Sequence, residues 1–130
     1  MKQYINPKSL GKEPAIYSHG VLVTFSQFLF TAGQIAMDDQ GKIIGKGNIQ
    51  VQTNYIMGNL KNILADVGMD FSNVIKINIY LVNMDDLPKV IEVRKNYFNF
   101  KFDRPASTAV GVKTLVNPDL LIEIEIVAVK

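Results

Sequence analysis

The chain has 130 residues, 48% apolar and 20% charged, with no cysteine, one histidine and a formal charge of +2 from 14 Lys plus Arg against 12 Asp plus Glu. That size and balance predict one soluble globular domain over residues 1–130 with a sizeable core. Disulfides, a thiolate nucleophile and zinc–cysteine sites are excluded, a lone His19 argues against a Ser-His triad or a His-rich metal centre, and a charge surplus spread along the chain argues against nucleic acid as a partner.

The N-terminal Met1-Lys2-Gln3-Tyr4-Ile5-Asn6-Pro7 lacks the apolar run of a signal peptide, and no later stretch approaches the roughly eighteen apolar residues of a membrane span, so a cytoplasmic protein away from membranes is expected. Val21-Leu22-Val23-Thr24-Phe25 and Phe28-Leu29-Phe30-Thr31-Ala32-Gly33 are β-rich runs split by Ser26-Gln27, which predicts a hairpin. After the turn-prone Asp38-Asp39-Gln40-Gly41, a short strand is expected around Lys42-Ile43-Ile44. From Asn48 the period changes: Ile49, Gln52, Ile56, Leu60, Ile63, Leu64 and Val67 recur at threes and fours, and Gly68 stands where a helix commonly ends. Residues 74–82 read as a strand with Ile75, Ile77, Ile79 and Leu81 on one face. A second helix follows, with Asp85 or Asp86 as cap, Pro88 in its first turn, and Val90, Ile91, Arg94, Tyr97 and Phe98 continuing it.

Two strands close the chain, roughly Ser107 to Lys113 and Leu120 to Val129, joined through Asn117-Pro118-Asp119. In the last strand Ile122, Ile124, Ile126 and Ala128 share one face, while Leu121, Glu123, Glu125, Val127 and Val129 share the other. Acids on an apolar face need a partner or a task, because an unpaired buried charge is costly. The resulting order, β-β(-β)-α-β-α-β-β, predicts an α+β fold in which two helices cover one face of a single mixed sheet. The other face is then left to pack on a second copy, and clefts between copies are natural ligand sites.

Five segments together carry a resemblance: Ala15-Ile16-Tyr17-Ser18-His19-Gly20-Val21, Phe30-Thr31-Ala32-Gly33-Gln34-Ile35, Asn59-Leu60-Lys61-Asn62-Ile63-Leu64, Arg104-Pro105-Ala106-Ser107-Thr108 and Ile122-Glu123-Ile124-Glu125-Ile126-Val127-Ala128-Val129. In order and spacing the chain resembles the Rid family, also called YjgF/YER057c/UK114, nearly end to end. The resemblance implies a chorismate-mutase-like fold, a homotrimer and three intersubunit clefts. For the best-known members it implies hydrolytic deamination of reactive imines and enamines, without metal or cofactor.

The same resemblance places Glu123 and Tyr17 as the catalytic residues, Glu123 as the acid–base group and Tyr17 closing the cleft and donating its hydroxyl, with Gly33, Ser107, Thr108 and Ile91 binding the substrate. Glu123 could instead pair with a cation or face solvent, Tyr17 could be an interface aromatic, Gly33 a strand irregularity, and Ser107 and Thr108 ordinary strand residues. This chain departs from the deaminase pattern at Ser107, where those members carry an arginine that clamps the substrate carboxylate, and at Ile91, where they carry an asparagine. Arg104 lies an odd number of residues from Ser107 behind a stiffening Pro105, so it is expected at the surface or a subunit contact rather than in the vacant position. His19 is read as incidental. Three functions follow in order: an imine deaminase of weak or altered activity, a non-catalytic trimeric small-molecule-binding or regulatory protein, and a ribonuclease or translation inhibitor.

Overall fold

A computed structural model describes residues 1–130. The longest helix, α1 (Ile49–Asp66), begins where Asn48 accepts a hydrogen bond from the Val51 amide at 3.0 Å, satisfying one of the free N–H groups of the first turn. It ends at Val67, after which Gly68 takes φ +67°. Its buried stripe, Ile49, Ile56, Met57, Leu60 and Leu64, faces the sheet, and its length and phase agree with the periodicity read from the sequence.

The main sheet has the order β3 (Phe28–Phe30), β6 (Ile122–Val129), β4 (Val74–Leu81), β5 (Ala106–Gly111). The first two pairings are antiparallel and β4–β5 is parallel, so the sheet is mixed. The second helix, α2 (Leu87–Arg94), lies beside α1, and both pack on one face over Val74, Ile77, Ile79, Leu81, Ile122, Ile124 and Ile126. The α+β fold with two helices on one side of a mixed sheet is thus as expected. No helix is long and apolar enough to cross a membrane.

Several local expectations are corrected. The two β-rich runs near the N-terminus do not form a hairpin: β2 (Gly20–Val23) pairs with β1 (Lys2–Ile5), a strand not anticipated, while β3 pairs with the C-terminal β6. A two-residue hairpin turn of the usual type needs positive φ, and neither Ser26 nor Gln27 adopts it. The strand expected at 42–44 reduces to one bridge, Met37 to Ile43, beside a turn in which Asp38 Oδ1 accepts from the Gln40 and Lys42 amides. In β4 an irregularity between Val74 and Lys76 shifts the alternation, so Val74 enters the core and Ile75 is only half-buried. Neither Asp85 nor Asp86 caps α2 with its side chain. Asn83 instead accepts from the Asp85 amide at 3.0 Å and opens a 3₁₀ turn, and Tyr97 and Phe98 lie past the helix end, packed edge-on against Phe71.

Candidate functional site

Glu123 stands near the start of β6 on the face turned away from the helices. The position of that end of the strand is set by Gln52, buried on α1, which accepts from the Leu121 amide at 2.8 Å and donates to the Asp119 carbonyl at 2.9 Å. On the other edge, Gln34 and Ile124 exchange backbone hydrogen bonds of 2.7 and 3.1 Å, and Thr31 Oγ1 accepts from the Ile126 amide at 3.0 Å. Between these two attachments lies Gly33, directly under the Glu123 side chain. A Cβ at position 33 would sit 2.7 Å from Glu123 Cδ and 2.9 Å from Cγ, so Glu123 can hold this position only over a glycine.

The two acids of β6 differ in what they touch. Glu125 Oε1 accepts from Asn78 Nδ2 at 3.1 Å and from the Tyr80 hydroxyl at 2.6 Å. The hydrogen bond to Glu125, followed by burial and the charges of Glu125 and Glu123, raises the Tyr80 phenol above its ordinary pKa. Glu123 takes part in no salt bridge and no side-chain hydrogen bond, although it is half-buried. A carboxylate laid over a bare backbone glycine and left unpaired can accept a proton or orient water.

Ser107 lies elsewhere. It is aligned with Ile77, which is aligned with Ile126, so it points toward the helices, at the edge strand β5. There its Oγ accepts a 3.4 Å hydrogen bond from Arg94 Nη1, the last residue of α2. Ile91 sits three residues before Arg94 on that helix and is half-buried. The segment carrying Tyr17 runs beside β5, with Ser18 bridged to Ala106 and its amide donating to the Pro105 carbonyl at 3.3 Å. This brings Tyr17 to the same end of the sheet as Ser107, with its ring edge-on to His19 at 5.7 Å. His19 itself is exposed and its amide donates to Asn6 Oδ1.

Thr108, the next residue on β5, alternates to the opposite face, where Lys76 Nζ donates to its hydroxyl at 2.6 Å. Arg104 is engaged by the N-terminal segment: Nη1 lies 2.7 Å from Glu13 Oε1 and donates to the Pro14 carbonyl at 3.2 Å. It does not occupy the place of Ser107. The candidates therefore fall into two groups, Glu123 with Gly33 on one face and Ser107, Ile91 and Tyr17 toward the other, and one chain does not bring them together. Arg94 was read from the sequence only as a residue continuing the helix. A signal was present: it follows Val90 by four residues on the core-facing stripe, where an arginine is out of place.

Comparison with known proteins agrees with this architecture. The family model described as endoribonuclease L-PSP matches residues 10–130. A RutC family protein of Pyrococcus horikoshii is 39% identical over 130 residues, covering 100% of this chain and 99% of its own. The 2-iminobutanoate/2-iminopropanoate deaminase of Homo sapiens is 34% identical over 114 residues, covering 88% of this chain and 80% of its own. Among solved structures, the Rid-family protein YyfB of Yersinia pestis superposes with a TM-score of 0.84 at 28% identity, covering 99% of this chain and 98% of that one.

Proposed function

Because the chain belongs to the Rid family, the family of the endoribonuclease L-PSP model, we propose that it acts as a homotrimer that hydrolyses small reactive imines in clefts between subunits. The observation that carries this reading is Glu123, unpaired and held against Gly33 on the sheet face away from the helices. The human relative named as an imine deaminase supports the substrate class. Assembly is supported by the same face, which exposes Phe30 at 72%, Phe28 at 53% and Val110 at 42%. A ligand touching both Glu123 with Gly33 and Tyr17 with Ser107 and Ile91 must lie between two copies, since one chain holds these groups on different sides of its sheet.

The chemistry follows from the acid. Glu123 takes a proton from water as its oxygen bonds to the imine carbon, and returns a proton to the nitrogen. In the resulting carbinolamine Glu123 carries the hydroxyl proton to the nitrogen as the carbon–nitrogen bond breaks, so ammonia leaves, the hydroxyl oxygen becomes the carbonyl of a 2-oxo acid, and Glu123 is again ionised. The reaction is redox-neutral and requires no electron carrier. A second reading, a trimer that binds such metabolites without turnover, is favoured by one feature: Ser107 offers a hydroxyl where deaminases place a charged fork.

The test couples the purified protein to a pyridoxal-phosphate threonine dehydratase and follows 2-oxobutanoate formation. Acceleration that falls about a hundredfold or more in Glu123→Gln supports the deaminase. Acceleration unchanged in that variant refutes the role of Glu123, and no acceleration by the parent leaves the binding protein.

A further inference from the structure

Arg94 carries a buried charge without a counter-ion. Only 2% of the residue is exposed, it forms no salt bridge, and Nε and Nη2 are buried without any hydrogen-bond partner. Its single hydrogen bond, from Nη1 to Ser107 Oγ, is 3.4 Å long, outside the usual range for such a bond. The guanidinium carbon lies 5.5 Å and 5.4 Å from the ring centroids of Phe98 and Phe100, which hold the group in place without neutralising it. Burial lowers its pKa to about 10, which still leaves it charged at neutral pH. Such an arrangement is unfavourable until an anion completes it.

We propose that Arg94 is the carboxylate clamp of this protein, accepting the carboxylate of a small 2-oxo or 2-imino acid through Ser107. The inference rests on the cleft reading above and deepens it by naming the group that recognises the acid. Ser107 is half-buried on the edge strand, and its small side chain is what the guanidinium reaches toward the strand. An incoming carboxylate replaces the long bond from Nη1 and accepts a second from the freed Ser107 hydroxyl. An arginine at 107 would place a second cation against Arg94, so arginine at 94 and serine at 107 form one arrangement. The alternative source of a counter-charge is an acid of a neighbouring copy, and the experiment separates the two.

Affinities for 2-oxobutanoate and its neutral amide are measured by calorimetry on the parent, Arg94→Met, Arg94→Lys and Glu123→Gln proteins. The expected result is a preference for the acid of about tenfold or more in the parent, abolished in Arg94→Met, partly kept in Arg94→Lys and retained in Glu123→Gln. A thermal midpoint of unliganded Arg94→Met equal to or above the parent's shows that the loss is not unfolding. If Arg94→Met keeps the preference, or loses acid and amide affinity equally, the clamp is refuted while the cleft reading stands. If the parent binds neither probe, both fail. If Arg94→Met dissociates the assembly and Glu123→Gln does so equally, the counter-charge belongs to a neighbouring copy and the clamp is refuted.

Discussion

Substituting Gly33 by alanine tests the packing that positions Glu123. The new Cβ would lie 2.7 Å from Glu123 Cδ and 2.9 Å from Cγ, and closer still to Oε2, distances that ordinary contacts do not reach, so the carboxylate end of the side chain is what it strikes. Glu123 must leave its place or the backbone must shift. Because the displaced group is the flexible end of a half-buried glutamate, the cost lies toward the low end of core overpacking, about 1–2 kcal/mol. Gly33 is not among the positive-φ glycines, so alanine meets no backbone strain there and recovers roughly 0.4–1 kcal/mol by restricting the unfolded chain. The net expectation is a loss of about 0.5–1.5 kcal/mol, or some 2–6 °C in Tm for a domain of this size. Truncating the obstacle should relieve the cost: in a double-mutant cycle with Glu123→Ser, the alanine becomes neutral or stabilising, giving a coupling of about 1–2 kcal/mol. Denaturation is followed by circular dichroism at one fixed protein concentration, since assembly would contribute to apparent stability. Equal effects of Gly33→Ala in the two backgrounds would refute the contact and with it the account of how Glu123 is held.

Gln52→Ala removes two hydrogen bonds that tie α1 to the loop before β6 and a third to the Gly45 carbonyl, leaving the Leu121 amide and the Asp119 carbonyl without partners; urea unfolding should show a loss of about 2–4 kcal/mol. Gly68→Ala forces a side chain into φ +67° and within 3.1 Å of Lys130 Nζ, and is expected to lower stability by about 1–2 kcal/mol in the same assay. Ser107→Arg should destabilise by about 2–4 kcal/mol through repulsion with Arg94, and Arg94→Met in the same chain should reverse the loss. The Tyr80 phenol has a raised folded pKa, so its neutral form is favoured in the native state; that stability is fully present below the unfolded value and is lost as pH rises through the folded one. Melting temperatures above pH 10 should therefore fall less steeply in Tyr80→Phe than in the parent.

What was legible in the sequence is what local physics decides. The change of period at Asn48, the threefold and fourfold spacing of α1 and the glycine after it are all properties of one helix, and they place it within a residue of its true ends. The alternation of β6 likewise separated Ile122, Ile124 and Ile126 from Glu123 and Glu125. Pairing across the chain was not legible: β3 chooses β6 rather than β2, a partner about a hundred residues distant, and no local pattern announces that choice. Ile75 was misplaced because one irregular residue in β4 reverses the face of its neighbour. At the candidate site, Gly33 and Glu123 could be named from motifs, but their contact needed the register of two strands. The place of Arg94 four residues after Val90 gives its face, but its lack of a counter-ion depends on contacts between α2, β5 and the loop after the helix that spacing does not contain.

A buried guanidinium on a helix differs physically from one on an exposed edge strand. Ser107 on β5 and Arg94 on α2 face each other across one gap, so either element can supply the charge that fills it. An arginine on an edge strand is free to sample solvent and loses rotamer freedom when it grips a ligand. Arg94 has already lost that freedom in folding, fixed beside Phe98 and Phe100 at 2% exposure. Its penalty falls on the unliganded fold, where the charge is desolvated and uncompensated, and under the proposal above a ligand carboxylate is what relieves it. A protein built this way should gain more stability from a bound carboxylate than a relative whose clamp is solvated, because binding there satisfies a charge that the empty fold leaves unpaired.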